Sequence, residues 1–363
     1  MRLAVEMAES GLGTTAPNPS VGAVLVRDGA EIARAVTQPG GRPHAETEVL
    51  RIAGEAARGA TLYVTLEPCS HHGKTGPCAE AAIAAGVARV VVGIEDPDPR
   101  VAGRGIAMLR AAGVEVIVGV EAKACRHVTL GHILRVTERR PAVLIKMALM
   151  YDLSVPVGGG GRPNFVTSPE AREMGHYLRG HTDAIMVGSG TVRDDDPELT
   201  CRLPGYLHRS PRRIVLDGRL MALTPETKLA RSAREVPVWA MIGTEAPSAK
   251  RLALQTRGVR LSVLPTVGFR PKLEEVMHLL ADEGITRLMV EGGRAVWRTL
   301  ASEGFVDEAM IFVQGHKRLA EFIPDGPVTF EHLSRLDVAP IMTLVEQGEV
   351  GGDKWFRFLR EGA

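Results

Sequence analysis

At 363 residues the chain is longer than one ordinary domain, and two or three domains are expected. A hydrophobic content of 45%, a charged content of 24% and a formal charge of +1 describe a globular protein with no general attraction for nucleic acid or membrane surfaces. Four cysteines do not make a disulfide framework. No apolar run approaches the roughly 20 residues needed to cross a bilayer. The first residues, MRLAVEMAESGLG, carry charges throughout and lack a signal-peptide core. A cytoplasmic location with reduced thiols is the expectation.

In chain order, VGAVLV (21–26), TLYVTL (61–66), RVVVGI (89–94) and VEVIVGV (114–120) are short β-branched apolar runs that read as strands. Helical spacing appears between them. HAETEVLRIAGEAARG places Val49, Leu50, Ala53 and Ala57 on one face, GPCAEAAIAAG stops at Gly86, and VAGRGIAMLRAAG stops at Gly113. Strands alternating with helices predict a mainly parallel sheet covered by helices. The charged TERRP segment (137–141) reads as a linker.

A second alternating series follows. AVLIKMAL (142–149) is a predicted strand. SPEAREMGHYLRG (168–180) is a predicted helix with a serine N-cap, proline at the first helical position and Glu170 in the first turn. AIMVGSG, RRIVLDG, VPVWAMIG and RLMVEGG read as strands, KLEEVMHLLADEG as a helix, and EAMIFV and KWFRFLR as closing strands. There is no internal repeat and no GxGxxG fingerprint.

The stretch EPCSHHGKTGPCAE (67–80) carries the chemistry. Cys69 and Cys78 could form a disulfide, bind a metal, or be incidental; reduced thiols favour the metal. Zinc wants thiolate and imidazole ligands in a tetrahedron, and a catalytic zinc keeps one position for water. His44 is the best third ligand, because it opens a predicted helix and Glu46 lies two positions on. His71 and His72 are alternative ligands, which would make a purely structural zinc loop. His-x-Glu followed by Pro-Cys and a second cysteine is the signature of zinc-dependent base deaminases, in which a non-ligating glutamate shuttles protons. A helix N-terminus near the two sulfurs favours thiolate over thiol.

Deaminases in general carry Cys-x-x-Cys, whereas here SHHGKTGP separates the pair. That longer loop, with TAPNPSVGAVLV, HAE, GATLYVTLEPCSHHGKTGPC and EDPDPRVAGRG, resembles the deaminase half of the bifunctional deaminase–reductase family of riboflavin biosynthesis. IKMALMYD, VTSPEAREMGHYLRGHTDAIMVGSGTVRDDDPELTCR, RRIVLD and LMVEGG resemble its reductase half, in the family's order and over nearly the whole chain. The resemblance implies an α/β chain with a cytidine-deaminase-like three-layer domain (1–140) and a dihydrofolate-reductase-like α/β domain (141–363). It implies deamination of 2,5-diamino-6-(5-phosphoribosylamino)pyrimidin-4-one, then reduction of the ribosyl group to ribityl with NADPH. It implies a homo-oligomer, dimer or tetramer, acting on a small molecule.

By matching motif positions, the resemblance assigns zinc to His44, Cys69 and Cys78 and the proton shuttle to Glu46. Asn18, His71 and Lys74 fall at substrate positions of the first half. In the second half Asp195 is the implied catalytic residue, near both cofactor and substrate. Lys146, Arg179, Leu199, Arg202 and Glu291 are implied substrate residues. Ala148, Phe165, Thr167, Thr191, Asp195, Gly292 and Gly293 are implied cofactor residues. Arg179 and Arg202 suit a phosphate, since a guanidinium binds two oxygens at once. The glycines of VEGG precede a helix whose N–H groups suit a cofactor phosphate.

Departures concentrate in the second half. Met150, Tyr151, Asp152 and Leu153 stand where the family usually has Ser-Leu-Asp-Gly, Phe165 replaces a usual tryptophan and Pro163 a common serine, and GHKRLAEFIPDG (315–326) lacks a glycine-rich pattern. Leucine at 153 disfavours a positive φ, so a different loop is expected there. These departures leave a deaminase-only chain with a degenerate reductase half as one alternative. A nucleic-acid base deaminase fused to a second domain is another; it predicts a Cys-x-x-Cys pair and a basic surface, and neither is present.

Overall fold

The computed structural model describes residues 1–72, 76–156, 164–315, 327–336 and 339–361. They fall into two compact units, one of Met1–Pro141 with Ala281–Thr286, the other of Ala142–Leu280 with Arg287–Ala363. The implied substrate residue Lys74, the Pro163 substitution and most of the 315–326 segment lie outside the described residues.

In the first unit five strands, β1 (Gly22–Arg27), β2 (Ala30–Val36), β3 (Thr61–Leu66), β4 (Arg89–Ile94) and β5 (Glu115–Val118), line up as β2-β1-β3-β4-β5. The sheet is mixed rather than mainly parallel. β1 pairs antiparallel with both β2 and β3, while β3–β4 and β4–β5 are parallel. The reason is a tight hairpin. Asp28 and Gly29 both have positive φ, 52° and 78°, the handedness of a two-residue turn matched to strand twist.

Helices cover both faces. Alternate residues Leu62, Val64 and Leu66 of β3 and Val90 and Val92 of β4 pack with Ala45 and Val49 of α2 (Ala45–Ala53), Ala79 and Ala82 of α3 (Cys78–Ala84), and Ile106 and Leu109 of α4 (Arg104–Ala111). Val5 and Ala8 of α1 (Arg2–Gly11) pack against Cys125 and Val128 of α5 (Ala122–Thr137). Gly22 marks the closest approach of sheet and α1, since a Cβ there would stand 1.8 Å from the Ala4 carbonyl oxygen.

The second unit has a nine-stranded sheet, ordered β10-β9-β8-β7-β13-β6-β14-β16-β15. Its strands are β6 (Ala142–Leu149), β7 (Ala184–Gly188), β8 (Arg212–Leu216), β9 (Val238–Ile242), β10 (Arg260–Val263), β13 (Arg287–Val290), β14 (Glu308–Val313), β15 (Met342–Val350) and β16 (Asp353–Arg360); β11 (Thr266–Val267) and β12 (Arg270–Pro271) form a separate ribbon. β10 through β14 pair in parallel, and the β15–β16 hairpin closes the sheet antiparallel. The intervening helices are α6 (Pro169–Gly180), α7 (Ser189–Asp195), α8 (Lys228–Arg231), α9 (Ser248–Thr256), α10 (Leu273–Asp282), α11 (Arg294–Ser302) and α12 (Phe330–Ser334). Ser168 caps α6 as expected, its Oγ accepting the Ala171 N–H at 3.1 Å.

Leucine at position 153 does not abolish the left-handed turn. Leu153 holds φ 65° and is fully buried. The left-handed backbone costs about 1–2 kcal/mol, and burying a leucine side chain contributes roughly 1.5–3 kcal/mol. The two offset, which is how the loop keeps its turn without glycine.

Candidate functional site

The donor atoms of His44, Cys69 and Cys78 all lie within 4.8 Å of one another. Three elements deliver them: His44 is the N-cap of α2, Cys69 lies in the loop after β3, and Cys78 is the first residue of α3. His44 Nδ1 stands 3.3 Å from Cys78 Sγ and 3.8 Å from Cys69 Sγ. The Cys78 N–H donates to Cys69 Sγ at 3.2 Å, and the Ala79 N–H to the Cys69 carbonyl at 3.2 Å. All four cysteines are free, so the disulfide reading falls.

The donor set fits a divalent cation. The neighbouring Cys78 side chain holds the Cys69 thiol down at about 4, while the Cys69 side chain and burial push the Cys78 thiol up. Two sulfurs this close hold one negative charge between them; a cation is what lets both ionise. Two thiolates and an imidazole are zinc ligands, and among the described residues no fourth protein donor joins them. His72 turns away to Glu80, 3.3 Å distant on the surface. His71 lies outside the donor group, its Nδ1 buried without a hydrogen-bond partner among the described residues.

Glu46 is almost wholly buried in the first turn of α2. Burial, opposed by the His44 charge and reinforced by Cys69, pushes its carboxyl up to about 7. A carboxyl in that range can both take and return a proton near neutral pH. Asn18 Nδ2 donates to the Gly41 carbonyl at 2.7 Å and lies 3.3 Å from His44 Nε2. Its Nδ2 is therefore committed to the protein, and Oδ1 is the atom left for a ligand.

In the second unit the candidate residues gather at the C-terminal ends of β6, β7 and β13, where open α/β sheets bind ligands. Arg179 meets Glu291 through two 2.8 Å bonds, Nε to Oε1 and Nη2 to Oε2, and its Nη1 donates to the Thr200 carbonyl at 3.0 Å. The bidentate edge of Arg179 thus faces Glu291. Burial would raise the Glu291 carboxyl, but Arg179 and Lys146 bring it down to about 2. Burial lowers the Lys146 ammonium, which lies 5.7 Å from the Phe312 ring centroid. Arg202 is half exposed and pairs with Glu198 at 3.2 Å.

The three consecutive aspartates separate cleanly. Asp194 pairs with Arg193 at 2.9 Å on the surface, and Asp196 accepts the Lys228 N–H at 2.9 Å. Asp195 ends α7 with no hydrogen-bond partner among the described residues, and burial followed by the Asp194 charge raises its carboxyl. Thr191 Oγ accepts the Gly293 N–H at 3.3 Å. Gly292, at φ 93°, approaches the same hydroxyl so closely that a Cβ would stand 2.2 Å from it. A Cβ on Gly293 would meet nothing within 4 Å among the described residues, which leaves room for an anionic group at the N-terminus of α11. Thr167 is buried, its carbonyl accepting Arg172 Nη1 at 2.6 Å. Phe165 is exposed beneath the Arg172 guanidinium, 5.2 Å away. Ala148 is half-buried on β6. The Leu199 side chain is buried in the core with Ile185 and Val192, so only its backbone can meet a ligand.

Sequence reasoning missed His176. It lies one helical turn before Arg179 on α6, and its Nδ1 accepts the Arg202 N–H at 3.3 Å. Burial and the Arg179 and Arg202 charges press it down to about 4, so it is neutral at pH 7. The i, i+3 spacing in HYLR was the available signal.

Residues 1–94 match the cytidine and deoxycytidylate deaminase zinc-binding region, and residues 156–315 match the RibD C-terminal domain. The chain is 38% identical to the riboflavin biosynthesis protein RibD of Aquifex aeolicus, over 86% of this chain and 85% of that one. It is 35% identical to RibD of Escherichia coli, over 97% and 96%. A solved structure from Thermotoga maritima, described as a diaminohydroxyphosphoribosylaminopyrimidine deaminase/5-amino-6-(5-phosphoribosylamino)uracil reductase, superposes with a TM-score of 0.81 at 30% identity, covering 99% of this chain and 97% of that one.

Proposed function

The chain belongs to the family of the riboflavin biosynthesis protein RibD, bifunctional deaminase–reductases that use zinc and NADPH, and we propose that residues 1–140 form the deaminase and residues 141–363 the reductase. The first reaction replaces the 2-amino group of 2,5-diamino-6-(5-phosphoribosylamino)pyrimidin-4-one by oxygen, releasing ammonia. The second reduces the ribosyl group of that product to ribityl. The observation that supports the first step best is the convergence of His44, Cys69 and Cys78 beside the buried Glu46.

His44, Cys69 and Cys78 hold zinc, which when bound supplies water acidic enough to yield hydroxide at neutral pH. Glu46 takes the proton from the attacking water and delivers it to the departing amine. Its burial matches its proton affinity to both transfers. Asn18 Oδ1 accepts from the pyrimidine, and its Nδ2 stays anchored on Gly41. His71 and Lys74 serve as substrate residues of this half.

NADPH, when bound, supplies the hydride that reaches the ribose C1′. Gly292, Gly293 and the first turn of α11 hold a cofactor phosphate, and Ala148, Phe165, Thr167 and Thr191 line its course. Reduction opens the C1′–O4′ bond, so a proton must reach O4′; Asp195, without a hydrogen-bond partner among the described residues and raised by burial, manages it. Lys146, Arg179, the Leu199 backbone, Arg202 and Glu291 hold the sugar phosphate moiety, the cations taking its phosphate and the ionised Glu291 accepting from its sugar hydroxyls. The enzyme acts in the cytoplasm as a homo-oligomer, a dimer or tetramer. Incubating it with the diaminopyrimidine phosphate, with and without NADPH, tests the reading by mass: amine-to-oxygen exchange is expected without NADPH, and a further gain of two hydrogens with it. Unchanged substrate in both would refute it.

A further inference from the structure

Glu67 ends the run from β3 into the Cys69 loop and is 3% exposed, although it is not one of the three metal-binding side chains. Its carboxylate accepts three backbone N–H groups. Oε2 takes Asp96 at 3.2 Å and Gly103 at 2.9 Å, and Oε1 takes Ile106 at 3.1 Å. Gly103 is the N-cap of α4 and has no side chain with which to satisfy the first turn. A buried carboxylate 36 residues earlier in sequence takes over that task, at the positive end of the helix.

The same joint brings the backbones of loop and helix close together. A Cβ on Gly105 would stand 2.0 Å from the carbonyl oxygen of Pro68, the residue before Cys69. Behind it, Asp96 Oδ1 accepts the Asp98 N–H at 2.9 Å and lies 3.0 Å from His132 Nε2 on α5. On its other side the Cys78 N–H donates to Cys69 Sγ and the Ala79 N–H to the Cys69 carbonyl. The Glu67 side chain thus ties the entry of the Cys69 loop to α4 and, through Asp96, to α5.

We propose that Glu67 is a positioning residue that sets Cys69 for metal capture and retention, an inference that rests on the reading of His44, Cys69 and Cys78 as the zinc site. Partners outside the ligand shell typically contribute 10–100-fold to metal affinity or activity. The test uses the full chain loaded with zinc, as wild type, Glu67→Ala and Glu67→Gln. The readout is the rate of zinc transfer to a chromogenic chelator, well below the melting temperature, alongside kcat and KM for ammonia release.

Glu67→Ala is expected to release zinc about 10–100-fold faster. Glu67→Gln should fall between, because its amide oxygen still serves two N–H groups while its NH2 faces the third. kcat should fall with KM little changed. NADPH oxidation by the other half should not move. If Glu67→Ala does not fold, Glu67→Gln decides alone. Variants that release zinc at the wild-type rate overturn the role of Glu67 and leave the zinc site standing. A wild-type chain that binds no zinc overturns both.

Discussion

Replacing Glu291 by glutamine would leave Arg179 and Lys146 as neighbouring buried cations with no anion between them. In the native chain Glu291 takes both 2.8 Å bonds from Arg179, and the Lys146 charge helps to hold it ionised. Both members of the ion pair are at most 14% exposed, so water screens little of the change. Removing one partner of such a pair costs about 3–5 kcal/mol. For a unit of this size each kcal/mol moves the melting point by roughly 2–4 °C, so Glu291→Gln should melt roughly 6–20 °C lower. All three tryptophans, Trp239, Trp297 and Trp355, lie in the second unit, so tryptophan fluorescence reports on that unit alone. Replacing the pair together, Glu291→Leu with Arg179→Met, should recover part of the loss, because no half of the pair is then left behind. A single variant within about 1 kcal/mol of wild type would refute the argument that Glu291 neutralises this cluster.

The same carboxylate sets an acid limit. Its folded value is depressed from 4.5 to about 2, so its contribution is present above pH 4.5 and is lost as pH falls toward 2. Tryptophan-monitored stability should decline more steeply with acid in wild type than in Glu291→Gln, and equal slopes would contradict this. Leu153→Gly should be nearly neutral, within about 1.5 kcal/mol, because it relieves the left-handed backbone while losing the buried side chain; chemical denaturation measures it, and a loss beyond 3 kcal/mol would show that burial dominates. Gly22→Ala should destabilise the first unit by about 1–3 kcal/mol as α1 is pushed off β1, read by denaturation together with zinc retention; wild-type stability would mean that the contact gives way freely.

Strands were legible because they are short β-branched runs buried on both faces; Thr61–Leu66, Arg89–Ile94, Ala142–Leu149 and Glu308–Val313 coincide with their apolar segments. β2 was not, because AEIARAV is an edge strand with polar residues toward solvent, and its only signal was the Asp28–Gly29 turn. α5 was missed for the opposite reason. Val128 through Leu134 are all buried, so no amphipathic stripe marks the helix. The metal-binding side chains could be read because histidine, glutamate and two cysteines announce their chemistry. The Arg179–Glu291 pair spans 112 residues and Glu67 meets Gly103 across 36, and local spacing carries neither.

The central claim is that Glu46 moves protons beside a metal that it does not hold. Zinc content and ammonia release, measured on the same preparations of wild type and Glu46→Gln, test it directly. The account predicts one zinc per chain in both, with ammonia release reduced at least 10²-fold in the variant. Undiminished ammonia release from Glu46→Gln, or loss of zinc along with the carboxylate, would contradict it.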